Sequence, residues 1–320
     1  MLGRRHFRVK VLQSLYAFFQ GGEPRIQIAE KNLLKSVEMV YQLFCLEYSF
    51  FFEVMHFYES RMEDAKNKFY PTDEELNPST KLLQNRLLKV LTENEHLEKE
   101  IRNYSISWTQ EQEMVRKTVM KMKSSKELLA YLNSGKDSIE EDRSILIKLF
   151  RKHVANNSDL YTFCEERDIH WHDDFDVVSG FAIKALMIIP EDFSPQSQLY
   201  QLFSRDNEEE TSEGEEFLKQ LFNLTVLHSG EFEKLIEERT RNWEIDRIAL
   251  TDVIILKMAL TELLFFPHIP VKVTLNEYIE ISKHFSTQKS KQFINGILDK
   301  LVTDLSEQDR IKKTGRGLIQ

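Results

Sequence analysis

Between Pro24 and Pro71 the chain contains neither glycine nor proline, and this uninterrupted run most constrains its fold. Glycine and proline are the residues that most often end helices and form turns. The whole chain of 320 residues holds only 10 Gly and 7 Pro. We therefore predict one very long helix, or two abutting helices, over residues 26–68, and an all-α fold with no strand series.

Hydrophobic periodicity and helix-ending residues predict further helices on both sides of this run. A first helix over 4–20 ends at a Gly-Gly pair, helical stretches fill about 80–168, and an apolar helix covers 176–189. The acidic segment 204–216 is predicted to be a solvated loop, and the polar tail from Glu307 is expected to fray. The last predicted helices are 217–228, 231–241, 247–265, 275–285 and 289–304.

The composition limits where the protein works and what it binds. A formal net charge of −9 argues against coating by nucleic acid, so any anion-binding surface must be local. Cys45 and Cys164 are too few and too far apart for a disulfide scaffold and read as buried thiols. The most apolar window, 41–57, contains Glu47 and Glu53 and is too short to span a bilayer. With no signal peptide visible, we expect a cytoplasmic protein.

The N-terminal segment is basic, in contrast to the rest of the chain. The sequence GRRHFRVKVLQSLYAFFQGG at 3–22 holds Arg4, Arg5, Arg8 and Lys10 and no acid. Cations at a helix N-terminus oppose the helix dipole, which costs a few tenths to about 1 kcal/mol each. A phosphate bound there would explain the arrangement, because both the helix dipole and the arginines would stabilise it. The alternative is a solvated, frayed N-terminus.

The periodicity of this first helix indicates which side faces the core. At 100° per residue one apolar stripe contains Phe7, Val11, Leu15 and Phe18. Arg4 and Arg8 lie in line with that stripe, so the first turn is expected to extend past the edge of the core. His6, Lys10 and Gln13 are predicted to form a polar face beside it.

A second basic helix start lies near the C-terminus. Lys289 and Lys291 occupy the first turn of the last predicted helix, and Phe293 follows. Phe293 is suited either to stacking on an unpaired base or to the rim of the core. The preceding helix is instead predicted to begin with a capping box of Thr274 and Glu277.

A cluster of metal-ligand residues offers an alternative function. His170, His172 and Asp173 lie in the segment 169–176 and resemble the ligands of metal-dependent HD-type phosphohydrolases. The other interpretation is a polar loop that caps a helix beginning near residue 175. The chain shows no Ser-His-Asp set and no P-loop, and it lacks the Gly-rich nucleotide-binding unit that a methyltransferase needs.

The C-terminal part, residues 243–301, resembles the NusB family of transcription antitermination factors. The matching positions are Trp243, Arg247, Asp252, Ile255, Leu256, Ala259, Glu262, Leu263, Pro270, Val273, Asn276, Glu277, Glu280, Lys283, Phe285, Phe293, Asn295, Gly296, Leu298 and Asp299. The resemblance implies an all-helical protein that is not an enzyme and needs no cofactor. It also implies binding to boxA-type RNA of nascent ribosomal transcripts, together with a small-subunit ribosomal protein acting as NusE, on elongating RNA polymerase.

The resemblance also implies which residues meet the RNA. They are Arg4, Arg5, His6, Arg8, Gln13, Tyr16, Lys289, Ser290, Lys291, Gln292 and Phe293. Arginines are expected to hold phosphates, so loss of Arg5 or Arg8 should weaken RNA binding without lowering stability. The protein partner is expected along 247–265 and the loop 266–273.

The family pattern predicts a discontinuous domain. Segments 1–22 and 212–304 are expected to form a NusB-like RNA-binding domain, with 305–320 as a polar tail. Residues 23–211 are expected to be a helical insertion of unassigned role. A helical scaffold that has lost RNA binding is the remaining alternative, and the intact basic head argues against it.

Overall fold

The computed structural model describes residues 3–21, 25–70, 72–197, 208–240 and 248–318. All regular structure in these ranges is helical and none of it is β-strand, which confirms the predicted all-α class. The predicted helix residues 241 and 247, and Trp243 of the family pattern, lie outside the described residues. No helix in the described ranges is both long and apolar enough to cross a membrane.

The helices are numbered α1 to α15 along the chain. In the first half they are α1 (Arg4–Gly21), α2 (Ile26–Lys66), α3 (Asp73–Leu76), α4 (Arg86–Thr92), α5 (Glu95–Asn103), α6 (Gln112–Lys123), α7 (Lys126–Leu132) and α8 (Ile139–Phe150). A π-helical turn (Arg151–Ala155) follows. The remainder are α9 (Ser158–Arg167), α10 (Ile169–Ile188), α11 (Glu208–Leu227), α12 (Ser229–Arg239), α13 (Leu250–Phe265), α14 (Val271–Phe285) and α15 (Gln288–Glu307).

The chain divides into two compact units. The middle unit is Glu38–Leu202, and the terminal unit combines Leu2–Val37 with Phe203–Gln320. The boundary falls inside α2, which is one continuous helix, the first of the two predicted alternatives.

Aromatic residues form the core of the middle unit. Tyr48 and Phe51 of α2 pack against Phe150 at the end of α8, with ring centroids 5.3 and 5.4 Å apart. All three side chains are fully buried. One buried polar residue of α2, Glu47, accepts a 2.7 Å hydrogen bond from the Ser179 hydroxyl of α10.

The terminal unit is built around α13. Every residue of α13 from Asp252 to Leu263 is buried, because α1, α11, α12, α14 and α15 surround it. From α1, the predicted stripe residues Phe7, Val11 and Leu15 face this core, while Phe18 is half-buried.

Four local predictions are wrong. Residues 208–216 of the predicted acidic loop are helical and begin α11. The segment 169–176 lies inside α10, which Asp168 caps by accepting from the His170 amide at 2.9 Å. The helix α14 begins at Val271, three residues before the predicted capping box, since a proline at 270 already suits a helix start. The tail does not fray, because α15 continues to Glu307 and later residues dock on the loop after α13.

Candidate RNA-binding surface

The arginine in the second turn of α1 is buried in an ion pair. Arg8 is 2% exposed, and its Nε and Nη2 each donate a 2.7 Å hydrogen bond to the two carboxylate oxygens of Glu262 on α13. Burial disfavours the cation, but the bonded carboxylate outweighs this effect, so the pKa of Arg8 is raised. The guanidinium is therefore held on the carboxylate and is not presented to solvent.

Glu262 is fully buried and receives two further hydrogen bonds. The Thr274 hydroxyl donates to Oε1 at 2.8 Å and the Tyr278 hydroxyl donates to Oε2 at 3.3 Å. Both donors come from α14. Four bonds to one carboxylate satisfy its buried oxygens, so this network joins α1, α13 and α14.

Arg5 lies one turn earlier and faces outward. Its Nε and Nη2 donate to the two carboxylate oxygens of Glu277 on α14 at 2.9 and 2.7 Å. The Arg5 side chain is 54% exposed, whereas that of Glu277 is 17% exposed. Hydrogen bonding from Arg5 lowers the pKa of the Glu277 carboxyl despite its partial burial. Arg5 is thus fixed in direction while part of its guanidinium stays open to solvent.

The other predicted contacts in α1 differ in accessibility. Arg4 is exposed and lies over the Phe217 ring, 5.7 Å from its centroid. His6 is half-buried, and burial together with the nearby Arg5 charge lowers the pKa of its imidazole. Gln13 is half-buried, and Tyr16 is exposed.

Three sequence predictions for α1 are corrected by these positions. Arg8 is not available to hold a phosphate, because its donors are engaged by Glu262. For the same reason its loss must lower stability, contrary to the prediction. Lys10, predicted on a polar face, is 4% exposed.

The start of α15 presents a second group of cations. Lys289, Lys291 and Gln292 are exposed, and Phe293 is half-buried. Ser290 is 7% exposed, because its amide donates to the Thr287 hydroxyl at 3.2 Å in the helix cap. Ser290 therefore shapes the helix start and offers little surface to a ligand.

Glu280 of α14 is affected by a cation from each of the two basic groups. The pKa of its carboxyl is lowered mainly by a hydrogen bond from Lys283, and the charges of Arg5 and Lys291 lower it further. Both cations are thus within electrostatic reach of one side chain.

A pocket of about 650 Å³ opens at the start of α1. Its lining is formed by Gly3, Arg4, Arg5, His6, Arg8, His268, Ile269, Pro270, Val273, Glu277 and Arg316. His268 and Arg316 were not among the predicted contacts. Only the fold brings them near residue 4, because the tail that carries Arg316 docks on the loop containing His268.

The helix α13 offers little surface to a protein partner. Its residues 252–263 are buried by neighbouring helices, so the predicted partner face is wrong for that stretch. Phe265 at the end of α13 is exposed, as are His268 in the loop that follows and Val273 in the first turn of α14.

The predicted metal cluster does not assemble in the described residues. No group of three His, Cys, Asp or Glu side chains there is placed to hold a metal ion. His172 Nδ1 instead lies 2.7 Å from the Tyr161 hydroxyl and 3.0 Å from Glu165. This contact gives the imidazole a local structural role.

The protein is thus an all-α protein with exposed cations at the starts of α1 and α15 and a buried ion pair between α1 and α13. The NusB family model matches residues 181–303. The chain is 45% identical over 138 residues to the "Transcription antitermination protein NusB" of Salinibacter ruber, covering 43% of this chain and 76% of that protein. This chain belongs to the NusB family. Membership confirms the prediction that it is not an enzyme.

Two further relatives carry the same name. The protein of Chloroherpeton thalassium is 35% identical over 104 residues, covering 32% of this chain and 49% of that protein. The protein of Natranaerobius thermophilus is 37% identical over 92 residues, covering 29% of this chain and 66% of that protein. No solved structure matches the chain.

Proposed function

We propose that this protein is a transcription antitermination factor that binds boxA-type single-stranded RNA of nascent ribosomal transcripts. It acts with a small-subunit ribosomal protein in the role of NusE, on the elongating RNA polymerase. The relatives named above are antitermination proteins, which supports the general role. The observation that carries RNA binding is the exposure of cations at the starts of both α1 and α15, with Arg5 fixed on Glu277 of α14 and the charges of Arg5 and Lys291 both acting on Glu280 of that helix.

The exposed residues divide by chemistry into two roles. Arg4, Arg5, Lys289 and Lys291 hold phosphates, since their cationic groups reach solvent. Tyr16, which is 43% exposed, stacks on an unpaired base. His6, Gln13, Gln292 and Phe293 lie beside them and contact bases or sugars.

The RNA-binding domain is discontinuous in this proposal. Segments 1–22 and 212–304 carry the contacts, and 23–211 is a helical insertion. The compact terminal unit supports such an arrangement, because it joins residues 2–37 to the chain from 203 onward. It also includes the first turns of α2 and residues 305–320.

Salt-dependent binding of a labelled boxA-type RNA tests the proposal. Binding is measured against a scrambled RNA of the same composition, with and without the purified ribosomal protein. We expect preference for the boxA-type sequence, tighter binding with the partner, and a negative slope of log affinity against log salt. Equal binding of both RNAs would contradict sequence recognition, and no binding to either would overturn the proposal.

A further inference from the structure

The chain after α15 folds back onto the terminal unit. The Thr314 amide donates a 3.0 Å hydrogen bond to the Pro267 carbonyl in the loop that follows α13. The Thr314 hydroxyl lies 3.4 Å from His268 Nδ1. We call residues 310–318 the docked segment. It lies beyond residue 303, where the match to the family ends.

A lysine anchors the docked segment to the end of α13. Lys313 Nζ donates to the main-chain carbonyls of Glu262 and Phe266 at 3.2 and 2.9 Å. The last carbonyls of a helix lack partners within the helix and carry its negative dipole end, so an ammonium group suits this position. The docking is therefore specified by side-chain chemistry and is not an accidental contact.

Two glycines are required by the path of the docked segment. Gly315 has φ of +54°, which side chains other than glycine rarely adopt. At Gly317 an added Cβ would lie 2.0 Å from the Pro267 carbonyl oxygen, a distance that excludes any side chain without movement of the backbone. Gly-Arg-Gly at 315–317 thus holds the intervening Arg316 in a tight 3₁₀ turn (Gly315–Leu318).

This turn places Arg316 in the lining of the pocket at the start of α1. The pocket is lined by four arginines but by a single carboxylate, Glu277, which Arg5 already binds through two hydrogen bonds. Arg316 and Arg4 are exposed, and neither forms an ion pair within the part of the chain that the structure describes. The pocket therefore has unneutralised positive charge and room for a polyatomic anion.

We propose that the docked segment completes a phosphate-binding pocket, in which Arg316 and Arg4 hold one backbone phosphate of the RNA bound along α1. The inference rests on the proposed function and adds to it a contact from outside the family's matched region. A guanidinium offers paired donors that fit phosphate oxygens, and the dipole at the start of α1 favours the same charge. The docked segment extends the RNA path beyond the cations of α1 and α15.

Two variants separate the charge of Arg316 from the position of the segment. Arg316→Ala removes the cation, and because the side chain is exposed we expect no change in melting temperature. Gly317→Ala keeps the cation but forces the segment away from Pro267. Lys312→Ala is the matched control, since Lys312 is an exposed cation of the same segment that pairs with Asp309 and does not line the pocket.

The measurement is the affinity for labelled boxA-type single-stranded RNA at about 50 and about 200 mM salt. Loss of one phosphate contact should reduce the salt slope by about 0.7, so the loss of affinity over this range should be about threefold smaller for Arg316→Ala. Gly317→Ala should behave in the same way, and Lys312→Ala should match the unaltered protein. Inorganic phosphate is titrated in parallel, with the Gly317 amide followed by NMR, to separate a free-phosphate site from an RNA contact.

The outcomes distinguish this inference from the proposed function. If the protein binds RNA and Arg316→Ala behaves as Lys312→Ala does, the docked segment has no role and only this inference is overturned. If inorganic phosphate shifts the Gly317 amide while the slope for Arg316→Ala is unchanged, the pocket holds a free anion and the RNA contact is overturned. If the unaltered protein binds no RNA, the proposed function fails, and this inference fails with it.

Discussion

Arg8 and Glu262 are 254 residues apart in the chain and are joined by two hydrogen bonds of 2.7 Å in the core of the terminal unit. The exposed fractions of the two side chains are 3% and 0%. Thr274 and Tyr278 donate to the same carboxylate, so the pair is satisfied on both sides. Arg8, which the sequence analysis predicts as an RNA contact, is thus a structural residue that fixes α1 against α13 and α14.

Removing Arg8 should strongly destabilise the terminal unit. Arg8→Ala leaves the Glu262 carboxylate buried without its cation, and such a loss costs about 3–5 kcal/mol in the free energy of unfolding. The measurement is urea unfolding followed by circular dichroism. Arg4→Ala is the matched control, because Arg4 is an exposed cation one turn earlier in the same helix. We expect it to change stability by no more than about 0.5 kcal/mol, and equal stability of both variants would contradict the role assigned to Arg8.

The sequence predicts the positions of the first two helices well, because glycine and proline mark their ends. The observed α1 is Arg4–Gly21 against a predicted 4–20, and the long α2 is Ile26–Lys66 against 26–68. The roles of the arginines could not be predicted in the same way, because periodicity places Arg8 near the core without showing its partner. Only the tertiary contact with Glu262 distinguishes it from Arg5, and neighbouring sequence contains no signal of that contact.

The position of the docked segment could not be predicted from the sequence either. A polar sequence with two glycines is typical of a frayed terminus. The feature that orders it is the fit of Gly317 against the Pro267 carbonyl, a contact between positions 50 residues apart. The sequence was more informative for the start of α15, where the basic first turn and the family resemblance both indicate Lys289 and Lys291, and both are exposed.

Lys291 should contribute to RNA binding, whereas another lysine of the same helix should not. Lys291→Ala removes an exposed cation whose charge acts on Glu280, and we expect the salt slope of RNA binding to fall by about 0.7. Lys300→Ala removes an exposed cation nine residues further along α15 and is expected to leave the slope unchanged. Equal slopes for the two variants would mean that the start of α15 is outside the RNA path.

Arg5→Ala should weaken RNA binding more than Lys291→Ala does. Besides removing a cation, it leaves the Glu277 carboxylate, which lines the same pocket, with only a 3.4 Å hydrogen bond from Arg8 Nη1, so its charge opposes a phosphate. The double variant Arg5→Ala with Glu277→Ala should therefore bind RNA more tightly than Arg5→Ala alone. The affinities are compared at one low salt concentration, and a double variant no tighter than the single one would show that Glu277 does not oppose the ligand.

The buried carboxyl of Glu47 should make the middle unit less stable as the pH rises. Burial raises the pKa of this carboxyl well above its usual value, so the folded protein keeps a proton that the unfolded chain loses above about pH 4.5. The free energy of unfolding then falls by up to about 1.4 kcal/mol per pH unit above that point. Glu47→Gln, which has no proton to lose, should remove this dependence. The test is urea unfolding at several pH values, followed through the fluorescence of buried Trp108 and Trp171.

His153 should act in the opposite direction and destabilise the middle unit in acid. It is 5% exposed in the π-helical turn, and burial, aided by the charge of Lys152, lowers its pKa to about 4. The unfolded chain binds a proton near the usual pKa of about 6.5, so the folded protein loses stability as the pH falls from there towards 4. The loss at pH 4 should be about 3 kcal/mol relative to His153→Leu, which binds no proton in either state.

The comparison between the two proteins at each pH isolates His153 from Glu47, because Glu47 is present in both. We expect the difference in unfolding free energy to be constant above pH 7 and to grow steadily in favour of His153→Leu below it. NMR titration of the His153 ring gives an independent measure of its protonation in the folded state. A difference that stays constant down to pH 4, or a ring that titrates near 6.5, would show that water reaches the π-helical turn and that the imidazole is not confined there.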